Sequence, residues 1–178
     1  DLVIAISHAG LDNSPYSPGM ENGNWHLAQV PGARIDAMLI GHSHQVFPNP
    51  VSNVPQFNLP GVDKVNGTVH GVPTVMPSLW GKHLGVIGLR LRHDGKRWVV
   101  DKDKTTVEAR ATQLADKSLV AADPEVMALV AHEHAATIEY VKTPVGSTGF
   151  RMTTYFADLG DGSAIEVVNQ AQADYVAR

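Results

Sequence analysis

The tetrapeptide Gly41-His42-Ser43-His44 constrains this chain more than any other feature. It follows the apolar run Ala37-Met38-Leu39-Ile40, which reads as a strand buried on both faces. A second run, Leu2-Val3-Ile4-Ala5-Ile6, reads the same way and ends in Ser7-His8. Between them, residues 20–30 read as a short helix closed by Pro31-Gly32. Strand, helix and strand at this spacing predict a right-handed βαβ unit and a parallel pair. Neighbouring parallel strands lie about 4.8 Å apart. His8, His42 and His44 are therefore expected to converge at the carboxyl edge of the sheet, where open α/β sheets bind ligands. Neutral imidazole is a common ligand for zinc, manganese, cobalt and iron, so the convergence predicts a metal site.

The rest of the chain continues the alternation of strands and helices. Residues 45–70 carry Pro48, Pro50, Pro55 and Pro60, which break regular structure, yet Val46, Phe47, Phe57 and Leu59 predict an ordered, packed loop. Val72–Met76 and His83–Arg92 read as strands, the latter with Arg90 and Arg92 on a wet face. Asp94-Gly95 predicts a hairpin into Arg97-Trp98-Val99-Val100, and a further strand is expected at Thr105–Ala111. Asp123-Pro124-Glu125 supplies an N-cap, a proline at the first helical position and an acid in the first turn. The helix it starts is expected to run to about Val141, with Val126, Leu129, Val130 and Val141 inward. Val145–Thr148 reads as a strand, and residues 163–177 as an amphipathic helix with Ile165, Val168 and Val176 on its apolar face.

Composition narrows the function classes. A net charge of -4 over 178 residues gives no basic surface for nucleic acid. The absence of cysteine excludes disulfides, thiolate metal sites and cysteine nucleophiles. No apolar run approaches the roughly 18–20 residues that span a bilayer. Ser7 and Ser43 lie outside any nucleophile elbow, and no phosphate-cradling Gly-x4-Gly-Lys-Ser/Thr occurs. The chain leads from Asp1 directly into an apolar strand that needs neighbours, so it is expected to be a piece of a longer protein.

A dinuclear hydrolytic site needs carboxylates as well as imidazoles. None is legible at this edge, since Asp36 stands at the wrong end of its strand and Asp12 reads as a turn residue. His132 and His134 lack the i, i+4 spacing that puts two imidazoles on one helical face and read as solvated. His26, His70 and His93 have no nameable partner, and His83 reads as structural.

The strand ending in Ser7-His8-Ala9-Gly10 resembles a metal-binding block of the calcineurin-like metallophosphoesterases. Gly41-His42-Ser43-His44 followed by Val46-Phe47-Pro48 resembles their last such block. Glu21-Asn22, Gln29-Val30-Pro31-Gly32, Gly71-Val72-Pro73, Met76-Pro77-Ser78 and the stretch from Trp80-Gly81 to Val86-Ile87 look, within the wider 5'-nucleotidase family, like one branch. That branch is the bifunctional 2',3'-cyclic-nucleotide 2'-phosphodiesterases/3'-nucleotidases of the bacterial periplasm. Tyr155-Phe156 and Val168-Asn169-Gln170-Ala171-Gln172 resemble the opening of that family's C-terminal domain.

The resemblance implies an α/β protein, an α+β sandwich of metallophosphatase type flanked by helices. Residues 1–110 would be the second half of the catalytic domain, 111–143 a connector with a long helix, and 144–178 the beginning of a nucleotide-specificity domain. It implies two divalent metal ions, drawn from manganese, cobalt, zinc or iron, with His8 and His42 on one ion and His44 on the other. Asn22 is a substrate-binding candidate. The family's other ligands and its catalytic histidine belong upstream, so no catalytic residue is expected within this chain, which alone is expected to be inactive. The implied substrates are 2',3'-cyclic nucleotides and 3'-nucleotides, the implied compartment is the periplasm, and neither nucleic acid nor a membrane span is expected. The alternatives are a 5'-nucleotidase or UDP-sugar hydrolase, and a metal-binding piece without turnover.

Overall fold

The computed structural model describes residues 2–160 and 162–177, and the chain divides into two compact units between Ala121 and Ala122. The first unit is built on β1 (Ile4–Ser7), α1 (Asn24–Leu27), β2 (Ala37–Ile40), β3 (Val46–Phe47), β4 (Val62–Asp63), β5 (Thr68–Val69) and β6 (Val72–Pro77). It continues with β7 (His83–Gly88), β8 (Leu91–His93), β9 (Trp98–Val100) and β10 (Thr106–Ala111). The main sheet runs β1-β2-β6-β5-β4, with β3 also paired to β6. Both β1–β2 and β2–β6 are parallel, as the two apolar runs predict for the first pair. The class is mixed α/β, with sheets and helices, as expected.

One face of the main sheet carries the core. Met38 and Ile40 from β2 and Val72 and Met76 from β6 pack with Leu11, Phe47, Phe57 and Val69, while Trp25, Leu27 and Ala28 close over them from α1. The proline-rich stretch after residue 45 is thus an ordered cover, held by Phe47 and Phe57 at a ring-centroid distance of 5.0 Å. Each such side chain, fully buried, contributes about 1.5–3 kcal/mol relative to exposure.

The opposite face is only partly covered. β7 and β10 form an antiparallel ladder, and Gly85 of β7 lies so close to Val75 of β6 that an added Cβ would meet Val75 Cγ2 at 2.9 Å. Across that face the registered row Val75, Leu39, Ile6 is 1%, 37% and 82% exposed. The second layer shields β6 and fades toward β1. β1 is therefore an edge strand, with Ile4 and Ile6 in the open, instead of the doubly buried strand its composition predicts.

Two other elements of the first unit are shorter than the pattern predicts. The helix expected over 20–30 is the four-residue turn of α1, because the preceding residues are committed elsewhere: Asn24 N–H donates to Gly10 O at 3.2 Å and Leu11 bridges to Gly23. The strand expected over 83–92 breaks after Gly88, and Leu91 begins a separate hairpin with β9 through the anticipated Asp94-Gly95 turn. The strand expected at Thr105–Ala111 is β10.

The second unit holds α2 (Pro124–Leu129), α3 (Ala131–Lys142) and α4 (Ser163–Val176). Asp123 caps α2 as expected, its Oδ1 accepting from Glu125 N at 2.9 Å and Val126 N at 3.2 Å. The single helix expected over 123–141 is interrupted at Val130, whose φ of -99° and ψ of 4° leave the helical basin. Val126, Leu129, Val130 and Val141 are exposed, contrary to their expected inward placement, and none of the three helices has a buried residue among those described. Val145–Thr148 forms no strand, because no partner ladder is offered to it among the described residues. No described helix is long and apolar enough to cross a membrane.

Candidate metal centre

β1 and β2 run side by side with Ser7 registered on Ile40, so the chain leaves both strands at the same edge. His8 follows one strand end and Gly41-His42 the other. The two exits are tied together by Gly41 N–H donating to Ala9 O at 3.2 Å. The His8 and His42 rings meet edge to face, with centroids 5.3 Å apart and planes at 69°. A shallow cavity of about 360 Å³ opens beside them, lined by Ile6, His8, Leu39, Gly41, Pro77 and Gly85 among others.

The turn that follows is built from unusual backbone. His42 has φ of 68° and His44 φ of 58°, both in the left-handed region that costs a non-glycine residue free energy. Such conformations persist only where surrounding contacts over-determine them, and they cluster at functional sites. Here the contacts are Ser43 N–H to Gly41 O at 2.9 Å, Ser43 Oγ to Met76 Sδ at 3.3 Å, Ser78 N–H to Gln45 O at 2.9 Å and Ser78 Oγ to His44 O at 3.2 Å. The Met76-Pro77-Ser78 segment thus buttresses the histidine turn.

His8 and His42 converge as expected; His44 does not join them. Among the described residues no three of His, Asp or Glu stand together as a group that could hold an ion. The reason lies in the turn. His42 and His44, on either side of Ser43, both take left-handed backbone, and His44 is left exposed. The residues present fit one ion as a partial set, since two imidazoles in edge contact offer suitable donor chemistry but leave the remaining coordination to other groups.

A carboxylate does stand at this edge, contrary to the expectation of none. Glu21 Oε1 lies 2.6 Å from His42 Nε2. Asp36 and Asp12 are accounted for as expected: Asp36 Oδ2 accepts from Val3 N–H at 2.8 Å at the far end of β1, and Asp12 Oδ1 accepts from Ser14 N–H at 2.8 Å. The Ser14 contacts hold the Asp12 carboxyl below its ordinary value. Asn22, the substrate-binding candidate, uses its side-chain oxygen on Gly10 N–H at 2.8 Å. An added Cβ at Gly10 would meet that oxygen at 2.6 Å, so a side chain there would push the Asn22 amide off its bond.

The remaining histidines have separate surroundings. His132 and His134 are exposed, as expected. His26 Nε2 meets Ser14 O at 2.8 Å, and His93 packs on Trp98 with centroids 5.3 Å apart. His70 packs against Trp25 at 4.9 Å, and burial holds its imidazole below the ordinary value.

No protein-family model matches the chain. It is 38% identical over 176 residues to the 2',3'-cyclic-nucleotide 2'-phosphodiesterase/3'-nucleotidase of Salmonella typhimurium, covering 99% of this chain and 26% of that protein. The protein of the same name from Haemophilus influenzae is 39% identical over 177 residues, again covering 99% of this chain and 26% of that one. The chain thus spans about a quarter of the length of these relatives. The crystal structure of calcineurin-like phosphoesterase YfkN from Bacillus subtilis superposes with a TM-score of 0.66 at 31% identity, covering 80% of this chain and 40% of that one. The chain is thus similar in sequence to a segment of these phosphodiesterase/3'-nucleotidases and in fold to a calcineurin-like phosphoesterase.

Proposed function

We propose that this chain forms part of a metal-dependent hydrolase of nucleotide phosphoesters, with 2',3'-cyclic nucleotides and 3'-nucleotides as substrates. The observation that carries the reading is the pairing of His8 and His42 at the carboxyl ends of adjacent parallel strands. It occurs in a chain 38% identical to a protein named for both activities. His8 and His42 would hold one of two divalent ions and His44 would serve the other. Bound divalent ions supply charge neutralisation at phosphoryl oxygens and an activated water. The protein's part is to fix two imidazoles on rigid strand ends and to hold the histidine turn against Met76 and Ser78. Residues 1–110 would belong to the catalytic domain, 111–143 to a connector and 144–178 to a specificity domain, and the protein would act in the periplasm.

A broader phosphoesterase is the second reading. It is favoured by 37% identity over 176 residues to the trifunctional nucleotide phosphoesterase protein YfkN of Bacillus subtilis, of which the chain covers 11%. The test is hydrolysis of 2',3'-cyclic AMP, 3'-AMP and 5'-AMP by the whole gene product that contains this chain, with manganese or cobalt supplied. Metal-dependent turnover of the first two supports the proposal, and turnover confined to 5'-AMP moves the chain to the 5'-nucleotidases. No turnover of any of the three contradicts both readings.

A further inference from the structure

Glu21 is remote from His42 in sequence and reaches it through a loop that is fastened to the other histidine's strand. Asn22 binds Gly10 N–H, Asn24 Nδ2 donates to Ala9 O at 2.6 Å, Asn24 N–H donates to Gly10 O at 3.2 Å, and Leu11 bridges to Gly23. Asn24 is itself 1% exposed, so these bonds are shielded from competing water. The residues immediately after His8 therefore fix the loop that carries Glu21. Gly41 N–H bonded to Ala9 O fixes the turn that carries His42 to the same segment. Glu21 and His42 meet across two loops anchored on one stretch of backbone, residues 9–11.

The contact occupies one specific ring nitrogen. A carboxylate that accepts from one imidazole nitrogen sets the tautomer and leaves the other nitrogen's lone pair to a metal. With Nε2 engaged by Glu21 at 2.6 Å, the free nitrogen of His42 is Nδ1. We propose that Glu21 is a positioning residue: it holds His42 by Nε2 and presents Nδ1 to the divalent ion that His8 and His42 would share. The inference rests on the reading of His42 as a metal ligand. Glu21 also answers the apparent shortage of acids at this edge, not by bridging ions but by orienting a ligand. The segment Glu21-Asn22-Gly23-Asn24 then works as a unit, in which Asn22 and Asn24 lock the loop and Glu21 uses its position.

The test uses the whole gene product that contains this chain, with Glu21→Ala, Glu21→Gln and His42→Ala, and zinc alone as the probe. The Glu21 side chain is 73% exposed, so its truncation leaves the fold intact. Two quantities are read: the zinc dissociation constant, and the NMR signal of the His42 Nε2-bound proton in the metal-free protein. That proton is visible only while a hydrogen bond protects it from exchange. Glu21→Ala is expected to abolish the proton signal and weaken zinc about tenfold or more. Glu21→Gln, which keeps an acceptor oxygen, is expected to retain the signal and recover part of the affinity. If Glu21→Ala binds zinc as tightly as the wild type or tighter while His42→Ala does not bind, the positioning role is overturned and the ligand reading stands. If the proton signal survives in Glu21→Ala, the positioning role is likewise overturned. If zinc fails to bind the wild-type gene product, or binds His42→Ala unchanged, the ligand reading falls and this inference with it.

Discussion

The two units of this chain both carry apolar residues and use them very differently. Residues up to Ala121 bury Met38, Phe47, Val69 and Met76 completely, while the helices after it bury none of their described residues. Leu129 is 80% exposed although it sits in a helix with a well-formed N-cap. Secondary structure and burial are separate achievements. Local signals such as Asp123-Pro124 or Asp94-Gly95 suffice for the first, whereas the second requires a facing layer. The same contrast recurs inside the first unit, where Val75 lies under Gly85 and Ile6, two strands away on the same face, is 82% exposed.

Substitutions can sharpen or break this contrast. The largest effect is expected from Phe47→Ala, which empties a fully buried site and should destabilise the first unit by about 3–5 kcal/mol in urea unfolding. A change below 1 kcal/mol would mean that the core is not where the packing places it. Asp123→Ala removes the side-chain acceptor of α2 and should cost about 1 kcal/mol, read as lost helical circular dichroism and faster amide exchange at Glu125 and Val126.

A smaller effect is expected from acid. Asn66 N–H and side-chain contacts, with Val65 N–H, hold the Asp63 carboxyl below its ordinary value against the opposing effect of burial. Because the folded value is the lower one, this contribution is complete above the unfolded carboxylate range and is lost as pH falls through the folded value. Asp63 is nearly open to solvent, so the slope is shallow; Asp63→Asn should flatten it in stability measured from pH 6 downward. The smallest change belongs to Leu129→Ala, within about 0.5 kcal/mol, and a cost like that of Phe47→Ala would show Leu129 to be packed after all.

Much of the site-bearing sheet was legible because its signals are local. Two apolar runs ending in histidine, joined by a short turn-closed segment, are enough to specify a parallel pair with His8 and His42 on one edge. What escaped depends on non-local geometry. No spacing rule links Glu21 to His42, and only the stitching of residues 21–24 onto residues 9–11 brings them together. His44 was expected beside its neighbour, but its turn is governed by positive φ angles that the sequence Gly-His-Ser-His does not announce. Val145–Thr148 has strand-forming residues but no partner ladder among the described residues; the break at Val130 occurs without proline or glycine and has no sequence mark.

The paired histidines carry the functional reading, so they are the place to measure. Isothermal titration of manganese into the whole gene product that contains this chain, beside its His8→Ala and His42→Ala variants, addresses them directly. Binding to the wild type that weakens at least about tenfold in each variant, and is unchanged in His132→Ala on α3, is the expected result. Equal affinity in all four proteins would contradict a shared ion at the ends of β1 and β2.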